Sequence, residues 1–273
     1  MNNPKPFLRW AGGKNWLIKH LPNLISNVKF NNYHEPFLGG GSVFFSLQPQ
    51  KAFLSDLNNE LIGTYVQVKT NVEEVIFELN KFKNTAPDYY EVRRKIFTGE
   101  AQRAAKFIYL NQTSFNGIYR VNLKGVYNVP FGYRTKNFFD PTGLRLVSKA
   151  LTNVELNHYD FMDSLNNIKE NDLVFIDPPY TVAHENNGFI KYNQKIFAWE
   201  DQQRLSVYIK AVVACGAKYI MTNAAHKSIE DLYNDFGDST KLQRASLIGG
   251  KGAKRSKYNE LVYSNLLNEK VLK

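Results

Sequence analysis

The chain has 273 residues and a formal net charge of +10, and 43% of its residues are hydrophobic. This composition is typical of a well-cored α/β protein. No apolar run reaches the ~20 residues that span a bilayer, and the start lacks the apolar core of a signal peptide. The single Cys215 excludes a disulfide framework and a multi-cysteine zinc site, and the five histidines lack ligand spacing. We therefore expect a cytoplasmic protein without a metal, whose positive charge favours a polyanionic partner.

Strands and helices are predicted to alternate along the chain. Short apolar runs bounded by turn residues predict strands, and apolar residues at helical spacing predict helices. In chain order the elements are strands at 33–37 and 51–56, helices at 71–82 and 101–112, a hairpin at 117–132, a strand at 173–177, a helix over 205–213, and strands at 217–223, 240–248 and 259–266. This order favours a parallel-dominated α/β sheet with helices on both faces and an insertion from about 60 to 150.

A glycine loop follows the first predicted strand in "HEPFLGGGSVFF", residues 34–45. Consecutive glycines let the backbone approach a ligand closely. Asp56 ends the next strand, 15 residues after Gly41, where an acid suits the ribose hydroxyls of a nucleoside. The combination favours an adenosine-containing cofactor, and a simple tight turn is the alternative.

A second unusual segment is "NDLVFIDPPYTV", residues 171–182. A buried strand runs into Asp177, and two prolines that cannot continue a sheet follow it. Ligands of α/β sheets bind at the carboxyl ends of strands, so Asp177 lies where such a sheet presents its chemistry. The alternative is that Asp177 caps a helix and the prolines merely end the strand.

Several stretches together resemble one family. They are "FLRWAGGK" (7–14), "EPFLGGGSV" (35–43), "LSDLN" (54–58), "FNGIYRVNLKGVYNVPFG" (115–132) and "DPPY" (177–180). Their order resembles that of the Dam-type DNA adenine-N6 methyltransferases of the D12 class, alpha group. The resemblance implies a Rossmann-like, S-adenosylmethionine-dependent methyltransferase sheet with an inserted helical and β-hairpin target-recognition domain. It implies a catalytic, cofactor-binding domain at 1–59 and 151–273 and a DNA-binding domain at 60–150.

The resemblance also implies a cofactor site without a metal. S-adenosylmethionine would be the methyl donor and S-adenosylhomocysteine the product. Trp10 would offer an aromatic face, Lys14 a cation near the methionine carboxylate, and Asp56 an acceptor for the ribose. The expected cofactor-binding residues are Trp10, Lys14, Phe37, Gly39, Gly41, Asp56, Asp160, Phe161 and Asp177. For Phe161, a role as an ordinary core residue is the alternative.

The catalytic residues implied by the resemblance are Asp177, Pro178, Pro179 and Tyr180. An adenine amine is a poor nucleophile because its lone pair is delocalised into the ring. The Asp177 carboxylate and the Pro178 carbonyl can accept its two hydrogens and localise that pair, while the prolines restrict the backbone. A base in a duplex must be flipped out to reach such a site, and Tyr180 can stack on it.

DNA recognition is expected chiefly from the hairpin, because a two-stranded ribbon fits the major groove. Arg120 matches the family position that reads guanine, Asn116 a position beside the flipped base, and Arg9 a position near DNA. The expected DNA-binding residues are Arg9, Asn116, Ile118, Arg120, Pro130, Tyr192, Lys254 and Arg255. The alternatives are a solvated cation for Arg120, a packed aromatic for Tyr192 and a solvated loop for Lys254 and Arg255.

The sequence thus predicts a site-specific DNA adenine-N6 methyltransferase acting on double-stranded DNA, and Arg120 favours a GATC-like site. It would serve restriction-modification beside a cognate endonuclease, or genome marking, in a bacterial or phage-infected cell. We expect a nucleoid-associated monomer or weak dimer that does not bind membranes. A catalytically silent DNA-binding module and an RNA adenine methyltransferase are the alternatives.

Overall fold

A computed structural model of the chain describes residues 3–25, 28–122, 124–135, 137–181, 197–245 and 257–266. The strands in these residues are β1 (Tyr33–Glu35), β2 (Ala52–Asp56), β3 (Val154–His158), β4 (Leu173–Ile176), β5 (Lys218–Ala224), β6 (Asp238–Ala245) and β7 (Lys257–Ser264). They form one seven-stranded sheet in the order β3-β2-β1-β4-β5-β7-β6. β4 pairs in parallel with β1 and β5, whereas β7 is antiparallel to β5 and β6. The strand order changes direction between β1 and β4, as in doubly wound folds. The predicted Rossmann-like α/β class is confirmed.

The central strands follow from their apolar sequences. All four residues of β4, "LVFI", are buried, as are all three residues of β1. A strand that is covered on both faces needs such a continuous buried run instead of an alternating one. β1, β2, β4 and β5 confirm the strands predicted at 33–37, 51–56, 173–177 and 217–223, and β6 and β7 confirm the two late strands.

The helices supply the other layers of the fold. They are α1 (Asn15–Ile18), α2 (Leu21–Ile25), α3 (Ser42–Leu47), α4 (Asn59–Thr70), α5 (Val72–Leu79), α6 (Ala86–Arg94), α7 (Glu100–Thr113), α8 (Pro141–Ala150), α9 (Trp199–Ala214) and α10 (Lys227–Leu232). α5, α7 and α9 confirm the three predicted helices. In the part of the chain that the structure describes, no helix is long and apolar enough to cross a membrane.

The described residues divide into two compact units. The first lies within Met1–Asn15, Leu38–Gln50 and Leu54–His158, and the second within Trp16–Phe37, Lys51–Phe53 and Tyr159–Lys273. The glycine loop belongs to the first unit, together with residues 60–150. One reason is that the Tyr65 hydroxyl on α4 donates to the Gly39 carbonyl oxygen at 3.2 Å. The assignment of residues 60–150 to target recognition stays a prediction.

The hairpin in the first unit is short and irregular. Its turn is closed by the Asn122 amide, which donates to the Val126 carbonyl oxygen at 2.9 Å. Gly125 in that turn has a positive φ of 72°, which explains why glycine is favoured there. An antiparallel bridge joins Val121 and Tyr127. The turn lies within the hairpin predicted at 117–132.

The core of the second unit packs α9 with strand residues. Leu205, Tyr208, Ile209 and Val212 of α9 belong to one buried cluster with residues of β4 and β5. Val213, the last residue of the predicted helix 205–213, is 43% exposed. Gly216 follows the helix with φ at 80°, as expected for a residue that ends a helix.

Candidate functional site

The glycine loop of the first unit is shaped by its own main chain. The Leu38 amide donates to the Ser55 carbonyl oxygen of β2 at 2.9 Å, and the Gly41 amide donates to the Leu38 carbonyl oxygen at 2.8 Å. Gly39 and Gly41 have positive φ angles of 47° and 64°, which other residues rarely adopt. The loop is therefore a tight turn, and α3 begins directly after it.

Trp10 explains why the loop needs a residue without a side chain. A Cβ added at Gly39 would lie 2.6 Å from Cδ1 of Trp10 and 2.7 Å from its Nε1. The indole also stacks on Tyr119, with ring centroids 5.7 Å apart and planes inclined by 21°. The structure thus brings Trp10 and Gly39, both expected at the cofactor, into direct contact.

Asp56 at the end of β2 braces the same loop. Its Oδ2 accepts a hydrogen bond from the Gly39 amide at 3.0 Å, and its Oδ1 accepts one from the Asn58 amide at 3.0 Å. Burial raises the pKa of Asp56, and the hydrogen bonds from the Gly39 and Asn58 amides partly offset that rise. A carboxylate has about four acceptor sites, so these bonds are compatible with a further bond to a ribose hydroxyl.

Lys14 is anchored at the other side of the loop. Its side chain is almost fully buried, its amide donates to Oγ of Ser42 at 3.2 Å, and its Nζ donates to the Gly12 carbonyl oxygen at 2.8 Å. Ser42 is the first residue of α3. Lys14 is therefore next to the start of α3, and its role at the cofactor stays a prediction.

Asn116 lies in a second tight turn of the first unit, and Arg9 packs against that turn. The Arg9 amide donates to Oδ1 of Asn111 at 2.7 Å, and the Asn111 side-chain amide donates to the Arg9 carbonyl oxygen at the same distance. Asn116 and Gly117 are both left-handed, with φ at 54° and 63°. A Cβ at Gly117 would lie 2.6 Å from Arg9 Nε. Burial and the charge of Arg134 lower the pKa of Arg9.

The remaining described DNA candidates are in or beside the hairpin. Arg120 is exposed, and its Nε donates to Oδ1 of Asn128 on the opposite side of the hairpin at 2.8 Å. Ile118 is half-buried and Pro130 is exposed. The Pro130 carbonyl oxygen accepts a hydrogen bond from the Phe115 amide at 2.8 Å, which ties the hairpin to the turn of Asn116.

The tetrapeptide Asp177–Tyr180 follows β4 in the second unit. Oδ1 of Asp177 accepts a hydrogen bond from Oγ1 of Thr222 on β5 at 2.8 Å. The Tyr180 hydroxyl donates to Oε2 of Glu260 on β7 at 2.6 Å. Tyr33 on β1 is near Asp177. Burial raises the pKa of Tyr33 well above its ordinary value, and the nearby Glu35 and Asp177 raise it further. The first and last residues of the tetrapeptide are thus each bound by a side chain of another strand, Thr222 on β5 and Glu260 on β7.

A buried polar network fixes the residue after the tetrapeptide. Oγ1 of Thr181 accepts a hydrogen bond from Nε2 of Gln202 at 3.1 Å and donates to the Phe197 carbonyl oxygen at 3.2 Å. Oε1 of Gln202 accepts from Nδ2 of Asn223 at 3.2 Å and from the Tyr233 hydroxyl at 2.8 Å. Networks whose members are satisfied rigidify the core around them.

Phe37 and Phe161 lie in an aromatic cluster of the second unit. Their ring centroids are 5.2 Å apart, and Phe161 also contacts the ring of Tyr208 at 5.6 Å. Asp160 caps the 3₁₀ helix Phe161–Asn167 and pairs with Arg204, whose Nη2 is 2.6 Å from its Oδ1. Phe161 is only 4% exposed. It therefore packs in the core, and its contact with a cofactor stays a prediction.

Comparisons with known proteins decide the family. Residues 10–246 match the profile of the D12 class N6 adenine-specific DNA methyltransferases. The Type II methyltransferase M1.LlaDCHI of Lactococcus lactis subsp. cremoris is 35% identical over 277 residues, which cover 97% of this chain and 97% of the relative. The chain belongs to the D12 class. S-adenosylmethionine-dependent methylation of adenine in DNA is typical of this family.

Two further relatives carry similar names. The Type II methyltransferase M.MjaIII of Methanocaldococcus jannaschii is 34% identical over 92% of this chain and 95% of its own length. The DNA adenine methylase of Escherichia coli is 30% identical over 96% of this chain and 95% of its own length. The D12 methyltransferase family implied by the sequence motifs is thereby confirmed.

Three site predictions for this D12 chain are not addressed by the structure. Tyr192, Lys254 and Arg255 lie outside the described residues. Within the described ranges, no group of three or more His, Cys, Asp or Glu residues could hold a metal ion. Thr222, Glu260 and Gln202 are contacts of the tetrapeptide segment that sequence reasoning missed. They are 45, 80 and 21 residues from their partners, so no local motif marks them.

Proposed function

We propose that this chain transfers a methyl group from S-adenosylmethionine to N6 of an adenine that is flipped out of duplex DNA. The observation that carries the proposal is the fixed tetrapeptide at the carboxyl end of β4, where Thr222 donates to Asp177 at 2.8 Å. This is the edge at which doubly wound sheets bind their ligands. The D12 family membership gives the reaction class.

The proposed role of the tetrapeptide is to activate the amine. The Asp177 carboxylate and the Pro178 carbonyl oxygen accept the two amine hydrogens, which draws the nitrogen toward tetrahedral geometry and localises its lone pair. Pro178 and Pro179 hold that carbonyl because each proline fixes φ near −65°. Tyr180 stacks on the flipped base, which offsets part of the few kcal/mol that flipping costs.

We propose the cofactor-binding residues from the family resemblance, for each unit separately. In the first unit Asp56 accepts from the ribose, Lys14 pairs with the methionine carboxylate, and Trp10, Gly39 and Gly41 line the ligand. The donor set fits a nucleoside, because Asp56 retains acceptor capacity for a ribose hydroxyl beside the Trp10 ring. In the second unit the proposed contacts are Phe37, Asp160, Phe161 and Asp177. When bound, S-adenosylmethionine supplies an activated methyl group, and S-adenosylhomocysteine is the product.

DNA recognition is proposed for the turn of Asn116 and for the hairpin. Arg120 is exposed, and an arginine can bond guanine O6 and N7 together, which is worth about 1–3 kcal/mol of discrimination. Arg9, Asn116, Ile118 and Pro130 complete the described part of this surface, and Tyr192, Lys254 and Arg255 are proposed from the family resemblance alone. We propose a GATC-like target, which Arg120 favours.

The biological setting is also a proposal. Two of the relatives above are named Type II methyltransferases, which supports a role beside a cognate restriction endonuclease, with genome marking as the other role. The family acts on DNA, so we place the protein in the cytoplasm at the nucleoid. We propose that it acts as a monomer or weak dimer.

The test incubates the full chain with tritium-labelled S-adenosylmethionine and adenine-containing duplex DNA, followed by digestion to nucleosides. The expected result is label in N6-methyl-2′-deoxyadenosine from duplexes that contain the target sequence, and none from duplexes that lack it. Matched duplex RNA serves as the second substrate. If folded protein labels neither polymer, the proposed activity is wrong, and if it labels only RNA, the proposed substrate is wrong.

A further inference from the structure

We infer that Thr222 and Glu260 are positioning residues of this methyltransferase, and that together they fix the two ends of the catalytic tetrapeptide. Thr222 on β5 holds the Asp177 carboxylate, and Glu260 on β7 holds the Tyr180 ring. The inference rests on the proposed function, because it gives these contacts a purpose in the methyl transfer. Neither residue touches the reacting atoms in this scheme.

The sheet register places both anchors on the same face. In the antiparallel pair of β5 and β7, Thr222 is opposite Val262 and Ala224 is opposite Glu260. Residues directly opposite each other share a face, and so do residues two apart on one strand. Thr222 and Glu260 are therefore diagonal neighbours on the face from which they reach the tetrapeptide.

Thr222 is suited to hold a carboxylate. Thr222 is fully buried, and Ile220 and Met221 on the same strand are buried as well. An apolar valine would therefore suit this position. The hydroxyl donates to Oδ1 of Asp177 at 2.8 Å. A β-branched side chain is stiff at χ1, so the donor is already aligned before any ligand binds. The bond restricts the rotation of the Asp177 carboxylate.

Glu260 is the more unusual of the two residues. It is 1% exposed and lies next to the buried Leu261 and Val262. Burying a carboxylate is costly unless hydrogen bonds compensate it. Its Oε2 accepts the Tyr180 hydroxyl at 2.6 Å, a length typical of a charge-assisted bond. The short bond fixes the direction of the Tyr180 hydroxyl, and we assign the glutamate to the orientation of that ring.

The two hydrogen bonds, from Thr222 to Asp177 and from Tyr180 to Glu260, orient the tetrapeptide for the reaction. Asp177 needs a defined direction to accept an amine hydrogen, and Tyr180 needs a defined plane to stack on a base. Geometry that is fixed before the substrate binds does not have to be ordered during the reaction. Loss of either anchor should therefore slow methyl transfer more than it weakens the binding of DNA or cofactor.

The experiment measures single-turnover methylation of duplex DNA at saturating cofactor by Thr222→Val and Glu260→Leu. We expect each rate to fall roughly 10- to 100-fold, since a hydrogen bond to a charged group is lost, while the Kd for DNA changes less than about threefold. The conservative variants Thr222→Ser and Glu260→Gln keep an oxygen at the contact and should recover most of the rate. Thr240→Val is the matched control, because Thr240 on β6 is opposite Val262 from the other side of β7, and it should retain the wild-type rate.

Tyr180→Phe removes the other partner of the hydrogen bond between Tyr180 and Glu260. The test therefore does not depend on whether Glu260→Leu folds. Tyr180→Phe removes the hydroxyl and keeps the ring, and we expect a loss of roughly tenfold or more. In the double variant Tyr180→Phe/Glu260→Leu the two losses should not add, because both changes remove the same bond.

Three results would overturn the inference. They are a Tyr180→Phe rate within twofold of wild type, a fully additive double variant, and a Thr222→Val rate equal to that of Thr240→Val. Each is read against an active wild-type protein. An inactive wild-type protein would instead contradict the proposed function, so the two failures are distinguishable.

Discussion

The glycine loop of the first unit and the tetrapeptide of the second unit are held in different ways. Main-chain bonds and the lack of side chains shape the loop, and the side chains of Asp56 and Tyr65, 17 and 26 residues from Gly39, brace it. The tetrapeptide is held by side chains that are 45 and 80 residues away in the sequence. The glycines therefore mark the loop in the local sequence, whereas nothing in the local sequence marks the partners that hold the tetrapeptide.

The largest effect on stability is expected from a variant in the buried polar network around Gln202. Gln202→Leu removes the buried partner of Thr181 and Asn223. A buried polar group without its partner costs about 1–3 kcal/mol, so the free energy of unfolding should fall by roughly 2–5 kcal/mol. Urea denaturation measures it. The neighbouring exposed Gln203 provides the control, and Gln203→Leu should change stability by less than ~0.5 kcal/mol. Equal effects of the two variants would show that the network does not stabilise this region.

The next largest effect is expected from a variant that disturbs the tight turn of the glycine loop. Gly39→Ala forces a left-handed alanine into contact with Trp10, since the new Cβ would be 2.6 Å from Cδ1. Backbone strain and overpacking together should lower the free energy of unfolding by roughly 2–4 kcal/mol and weaken cofactor binding. Denaturation and calorimetric titration with S-adenosylmethionine measure the two quantities.

Gly63→Ala is the matched control for that change. Gly63 lies in α4 with nothing within 4 Å of an added Cβ, so alanine should raise stability by up to ~1 kcal/mol. A Gly39→Ala protein with the stability and cofactor affinity of wild type would show that the tight turn at Trp10 is not required.

The smallest effect concerns the single carboxylate brace of the loop. Burial raises the pKa of Asp56 in the folded protein. A carboxyl group whose folded pKa is above its unfolded value binds more protons when folded, so its contribution to stability falls as the pH rises from ~3.9 through the folded pKa. Asp56→Asn does not titrate, and its stability relative to wild type should therefore improve from pH 4 to pH 7.5. Denaturation at several pH values measures this, and a difference that is independent of pH would contradict it.

The same comparison explains which parts of the molecule can be predicted from the sequence. β4, the glycine loop and the turn at Gly125 are marked by local apolar runs, glycines and prolines, and they were predictable within a few residues. Glu260 and Thr222 carry no local mark, because a glutamate or threonine in a strand is ordinary until its partner is known. The hydrogen bond of Tyr65 with Gly39 carries no local mark either, because the two residues are 26 positions apart.

The most direct measurement is single-turnover methylation of duplex DNA by Asp177→Ala, with cofactor and DNA affinities determined on the same protein. If the Asp177 carboxylate readies the amine, the rate should fall by roughly 10³-fold or more while both ligands still bind. A variant that methylates adenine at the wild-type rate would contradict the account.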